Sequence, residues 1–159
     1  MIRKMFGDLL TAPANILCHQ VNYFGVMGAG VAAAIRSKLL SEAEFQRYRE
    51  FCMEYDSDSL GKVLYSTIVP GRQYVANCFC QREFDEEAPG VLTDYDAMRE
   101  CLTSVRDFAH KANLTVALPG YMGCGIAGGN WYRVMDVIND VFGESWVPLT
   151  IVFLDRGNK

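Results

Sequence analysis

Gly123-Cys124-Gly125-Ile126-Ala127-Gly128-Gly129-Asn130 lies between the apolar run Thr115-Val116-Ala117-Leu118 and an amphipathic run that begins at Trp131. A second segment of the same construction, Asn22-Tyr23-Phe24-Gly25-Val26-Met27-Gly28-Ala29-Gly30-Val31, follows the run ending at Val21 and leads into an alanine-rich stretch. Together, Asn22 to Val31 and Pro119 to Asn130 hold eight of the chain's 14 glycines. Glycine admits positive φ and lets the backbone approach a ligand closely. A helix that follows aims unpaired N–H groups and its positive dipole end at that ligand. Two such strand–loop–helix corners can grip two linked phosphates from opposite sides.

Outward from these corners, the chain alternates strand and helix patterns. Strands are expected at Ile2–Phe6, Asn15–Val21, Lys62–Val69, Gln73–Cys80, Leu114–Leu118 and Leu149–Leu154. Several are near-continuous apolar runs, as in strands buried on both faces. Helical spacing fills Ala29–Leu39 and Glu42–Glu54. Another helical face runs from Tyr95 through Met98, Cys101, Leu102 and Val105 to Phe108, and a last one from Trp131 through Val134, Val137 and Ile138 to Val141. Thr93-Asp94-Tyr95-Asp96 has the form of a capping box, and Asn130 is placed to cap the last helix. The expected fold is α/β: a three-layer α/β/α single domain over residues 1–159, with a mixed, mostly parallel sheet of about six strands. Arg82–Leu92, with Asp85, Glu86 and Glu87, reads as a long surface loop.

Composition excludes several function classes. The net charge is −4, which argues against duplex nucleic acid as a main partner, because backbone-phosphate binding needs a basic face. Small anions remain open, since amides bind phosphate without lysine or arginine. No run approaches the ~20 apolar residues of a membrane span, and the opening residues lack the apolar core of a signal peptide. Cys18, Cys52, Cys78, Cys80, Cys101 and Cys124 make no zinc spacing with His19 or His110. They read as reduced structural thiols, with no metal and no cofactor expected, and a cytoplasmic setting follows.

Neither loop is a Walker A sequence, for no lysine precedes a serine or threonine at its end. Gly123-x-Gly125-x-x-Gly128 matches a dinucleotide fingerprint, with Asp155 as its ribose acid. Against it, four residues separate the strand from the first glycine, and only one further strand follows, so half of a dinucleotide fold would be missing.

Gly7-Asp8-Leu9-Leu10-Thr11, His19-Gln20-Val21-Asn22, the Gly25–Val31 loop and Gly123–Trp131, in that order, resemble the macrodomain family, which binds ADP-ribose and its derivatives. The closest likeness is to the ADP-ribose-1''-phosphate phosphatase and terminal ADP-ribose glycohydrolase types, and it covers Ile2 to Asp155. The resemblance implies that Asp8 and Leu9 meet the adenine, although Asp8 could instead cap the following turn. It implies that Asn22 bonds the distal ribose and that Gly28, Ala29, Gly30 and Val31 hold one phosphate. Gly123, Cys124, Gly125, Ile126 and Ala127 would hold the other, and Leu154 and Asp155 would border the adenine pocket, with Leu154 as plain core the alternative.

The proton chemistry is thin. Glycohydrolase-type members use a lysine and a loop aspartate, and those positions fall near Gln81-Arg82 and at Ala127 here. Asn22, His19 and Gln81 are the remaining catalytic candidates. His19 is the one group near a loop with an intrinsic pKa close to neutrality, or it is a buried structural residue. Gln81 could orient water. Cys124, amid glycines at a helix start, could be an activated thiol or simply a small packing residue. The expected function is ADP-ribose binding with hydrolysis at the distal ribose, either of a 1''-phosphate or of an ADP-ribosyl group on an acceptor. The alternative is a reader of ADP-ribose that turns nothing over.

Overall fold

The computed structural model describes residues 1–83 and 90–154. Asp85, Glu86, Glu87 and Asp155, which carried sequence expectations, lie outside the described residues. Six strands form one sheet: β1 (Ile2–Gly7), β2 (Ile16–Val21), β3 (Val63–Val69), β4 (Gln73–Phe79), β5 (Val116–Pro119) and β6 (Leu149–Leu154). Their spatial order is β1-β6-β5-β2-β4-β3. Every neighbouring pair is parallel except β3 with β4, a hairpin that turns tightly at Gly71 (φ 73°). The continuous apolar runs are the inner strands: β5 is buried at every position, and β2 at all but Gln20. Edge strand β1 instead alternates between exposed and half-buried positions.

Four helices cover the sheet: α1 (Gly30–Lys38), α2 (Glu42–Tyr55), α3 (Tyr95–Ala112) and α4 (Trp131–Phe142). On one face, Met98, Leu102 and Val105 of α3 and Val134, Ile138 and Phe142 of α4 bury Ile16, Cys18, Cys78, Leu118 and Ile151. On the other, Phe45, Tyr48 and Cys52 of α2 pack on Val21, Leu64 and Phe79. Beside them Leu39 joins a smaller cluster around Leu17, Ala117 and Val152. The expected three-layer α/β/α arrangement is therefore present. All six cysteines are free thiols. No described helix is long and apolar enough to cross a membrane.

One boundary differs from the capping-box expectation. The residue that caps α3 is Asp94, whose carboxylate accepts from Ala97 N–H at 3.0 Å. Thr93 is fully buried, and its hydroxyl bonds elsewhere. Asn130 caps α4 as expected, accepting from Tyr132 N–H at 2.9 Å. The topology also fixes where a ligand can enter. β2 and β5 are neighbours, yet β2 leads to α1 on one face of the sheet and β5 leads to α4 on the other. The crevice beyond their carboxyl ends is a topological switch point, where open α/β sheets bind ligands.

Candidate functional site

A cleft of about 430 Å³ opens at that switch point. Its walls are the two glycine-rich loops, and its floor is the end of β2. Of the residues expected to hold phosphate, Gly28, Ala29, Gly30 and Val31 line it from one side. Gly123, Gly125, Ile126 and Ala127 line it from the other. Asn22, His19 and Gln81 also line it. Fold topology thus brings together segments about a hundred residues apart in the chain.

Both loops present amides without protein acceptors. At the start of α1, Ala29 makes no side-chain cap, so the N–H groups of the first helical turn are left for a ligand. In the second loop, Gly128 N–H is taken by Gly125 O at 3.0 Å and Gly129 N–H by Gly123 O at 2.8 Å. No acceptor for the N–H groups of Gly125, Ile126 or Ala127 occurs among the described residues. A glycine is essential at 128: φ is +70°, and a Cβ there would overlap the carbonyl of Gly90.

None of the described residues lining the cleft carries a formal charge. Among the described residues, what the cleft offers an anion is therefore amide dipoles, in a setting of lower dielectric than bulk water, where such dipoles act more strongly.

The side chains expected to do chemistry are largely engaged in structure. Asn22 Nδ2 donates to Val26 O at 3.0 Å, and its Oδ1 accepts from Phe24 N–H at 3.0 Å. The hydroxyl of Tyr48 lies 3.1 Å from the same Oδ1 and 2.7 Å from Asn22 O. The asparagine therefore braces the first loop while also lining the cleft.

His19 is 1 % exposed and pairs through Nε2 with Asn77 Oδ1 at 2.7 Å. Asn77 gives its own hydrogens to Leu64 O and Ser66 Oγ, so the imidazole carries its proton on Nε2. Burial drives its pKa from the ordinary 6.5 down to about 4, with the Asn77 bond opposing the shift. This corrects the expectation of a near-neutral general base: the ring is a neutral member of a buried polar network. Its Nδ1 has no partner among the described residues. Gln81, half-buried, is held at its backbone by an isolated bridge to Thr93.

Four other expected residues do not line the cleft. The Cys124 thiol turns toward Met122 O at 3.4 Å, and burial raises its pKa, which corrects the activated-thiol reading. Asp8 caps a short 3-10 turn, accepting from Leu10 N–H at 2.9 Å, and Leu9 beneath it is buried. Leu154 is 70 % exposed, so it is not plain core. It registers with Gly7, the residue before Asp8, so Asp8 and Leu154 lie at the same end of the paired strands β1 and β6.

Tyr121, in the second loop, is a further residue of the cleft. It is largely exposed and holds φ +61°, a strained value for a residue with a side chain. Its ring contacts Trp131 and Phe153 at 5.2 and 5.5 Å between centroids. Tyr48 and Thr93 hold the loops, a role for which the sequence carried no local signal, since their partners are remote in sequence.

No family sequence model matches the chain, and neither does any curated protein. Solved structures do. A protein of unknown function from Bacteroides thetaiotaomicron is similar with a TM-score of 0.84 and 26% identity, over 97% of this chain and 98% of that one. A macrodomain protein from Streptomyces coelicolor is similar with a TM-score of 0.76 and 26% identity, over 99% and 100%. Thermosipho africanus DarTG in complex with ADP-ribose matches at a TM-score of 0.73 and 16% identity, over 99% of this chain and 43% of that one.

Proposed function

The chain is a macrodomain by fold, and on that premise we propose that its cleft binds ADP-ribose, free or attached to an acceptor. The observation that carries the reading is the pairing of two amide arrays across one uncharged cleft at the sheet's switch point. Each array suits one phosphate of a diphosphate. The ADP-ribose complex of the Thermosipho protein, which has the same fold, supports the choice of ligand.

The first-loop array, Gly28 to Val31, takes one phosphate. Gly125, Ile126 and Ala127 take the other and leave the distal ribose above His19 and Gln81. Asp8 and Leu154, at the same end of β1 and β6, receive the adenine: Asp8 keeps one carboxylate oxygen free for its exocyclic amine. Tyr121 closes the second-loop side.

Binding is the better-supported activity, because the cleft lining supplies no charged acid or base among the described residues and Ala127 is a buried small residue. A second reading, hydrolysis at the distal ribose, is favoured by one observation. His19 Nδ1 is an acceptor without a partner among the described residues, and His19 and Gln81 both line the cleft. Catalysis would then rest on positioning and on amides that stabilise developing charge.

Calorimetry with ADP-ribose, its 1''-phosphate, NAD and ATP tests the binding claim. ADP-ribose binds tightest if it is right; NAD binding tighter than ADP-ribose would favour the dinucleotide reading. Phosphate release from the 1''-phosphate, or ADP-ribose release from a modified glutamate peptide, separates hydrolase from reader. No product with enzyme in excess over substrate leaves the reader.

A further inference from the structure

The second loop's amides can bind phosphate only if the backbone between Gly123 and Ala127 keeps one shape. The loop's own bond from Gly129 N–H to Gly123 O closes this stretch on one side. Both of its ends are also held from outside, by Leu92 and Thr93 ahead of α3. Thr93 Oγ1 donates to Gly123 O at 2.6 Å. At the other end Ala127 O accepts from Leu92 N–H at 2.7 Å and from Thr93 N–H at 3.3 Å. Beyond it, Tyr95 OH accepts from Asn130 N–H at 2.8 Å.

Thr93 is in turn held from the sheet. Its single hydroxyl hydrogen goes to Gly123, so toward Gln20 it can only accept. Gln20 Nε2 is the donor, at 3.0 Å. That fixes the carboxamide with Oε1 toward Cys80, whose thiol hydrogen takes this acceptor at 3.1 Å over the more distant Cys78 O at 3.5 Å. Burial keeps the Cys80 thiol well above its ordinary pKa, so the donor hydrogen stays in place. The resulting chain runs one way, from Cys80 through Gln20 and Thr93 to Gly123. A Cβ on Gly123 would fall 2.8 Å from Gln20 Oε1 and 2.9 Å from Thr93 Oγ1, so loop and clamp fit without slack.

We propose that Thr93, fed by Gln20 and Cys80, is a positioning residue that sets the phosphate-binding shape of the second loop. This rests on the diphosphate reading of the cleft. It accounts for a binding site that holds anions without a cation on its lining: rigid placement of neutral amides does the work that a flexible lysine would do.

The test compares Thr93→Val, Thr93→Ser and, as a control in the core of α3, Val105→Ala. Two readouts are taken on the intact chain: amide hydrogen exchange and ADP-ribose affinity by calorimetry. Thr93→Val is expected to speed exchange across residues 123–129 and to weaken ADP-ribose binding, each by about tenfold, the size of one lost buried hydrogen bond. Thr93→Ser keeps the hydroxyl and restores both to near wild type. Val105→Ala lowers the melting temperature without either change, which separates positioning from general destabilisation. Exchange in the loop that is the same for Thr93→Val and wild type overturns the clamp. So does a Thr93→Ser variant as impaired as Thr93→Val. If wild type itself does not bind ADP-ribose, the ligand assignment fails, and the exchange measurement still decides the clamp.

Discussion

The two glycine loops offer the same groups to a ligand but are built differently. The first is braced from behind by side chains: Asn22 folds back onto Val26 and Phe24, and Tyr48 of α2 ties Asn22 O. It ends in a helix whose first turn has no side-chain cap, so α1 contributes both amides and dipole. The second loop is knit by its own backbone and by the lead into α3. Its helix is not available in the same way. Asn130 caps α4 and is itself bonded to Tyr95. The amides it leaves without an acceptor among the described residues are in the loop, at Gly125, Ile126 and Ala127. A strand–glycine–helix pattern therefore does not by itself say whether the helix or the loop meets the anion; what decides it is whether the cap position is occupied.

The sharpest way to break the comparison is Gly125→Glu. Gly125 has open space where a Cβ would go, so the domain folds. A carboxylate among the loop amides should reduce ADP-ribose affinity by about a hundredfold or more through clash and like charge. Calorimetry that gives an unchanged affinity would remove the second loop from the site.

A pH titration examines the floor between the loops. His19 has a folded pKa near 4 against an ordinary 6.5, so between these values the unfolded chain binds the extra proton. Stability should therefore be full above pH 6.5 and fall as pH drops toward 4, by up to ~3 kcal/mol. His19→Gln should flatten this part of the melting curve against pH. Parallel curves for the two proteins would contradict the buried neutral ring.

Tyr48→Phe isolates the first loop's brace. Removing the hydroxyl should cost about 1 kcal/mol of stability. It should speed amide exchange in residues 22–31 while leaving 123–129 protected, the reverse of Thr93→Val. Equal loosening of both loops would show that they are one unit after all.

The smallest effect belongs to Asp8, outside both loops. Asp8→Ala loses the cap on Leu10 and about 0.5–1 kcal/mol of stability. If the free carboxylate oxygen also meets adenine, ADP-ribose binding weakens by about 1 kcal/mol more. Affinity equal to wild type leaves Asp8 as a cap alone.

Most of the architecture was legible in the chain because its signals are local. The apolar runs Thr115–Leu118 and Leu149–Leu154 are continuous, as strands covered on both faces must be. The buried residues of α3 and α4 recur at helical spacing. The loop glycines were legible too, and both loops line the cleft.

The site's side chains were less so. His19 in a strand next to a glycine loop looks like a base until Asn77, a neighbour only through the parallel β2–β4 pairing, is seen to bury it. Thr93 looked like half of a capping box because its true partner, Gly123, is thirty residues away.

What the sequence determined by itself was the order of strands and helices, the two backbone corners and the absence of a lysine or an acid at the expected loop positions. These follow from period, glycine placement and residue identity. Only the tertiary structure decided which polar groups were still free for a ligand. A side chain has few hydrogens and lone pairs, and the fold spends most of those of Asn22, Thr93 and His19 on holding the cleft's shape, while the amides of Gly125, Ile126 and Ala127 have no acceptor among the described residues.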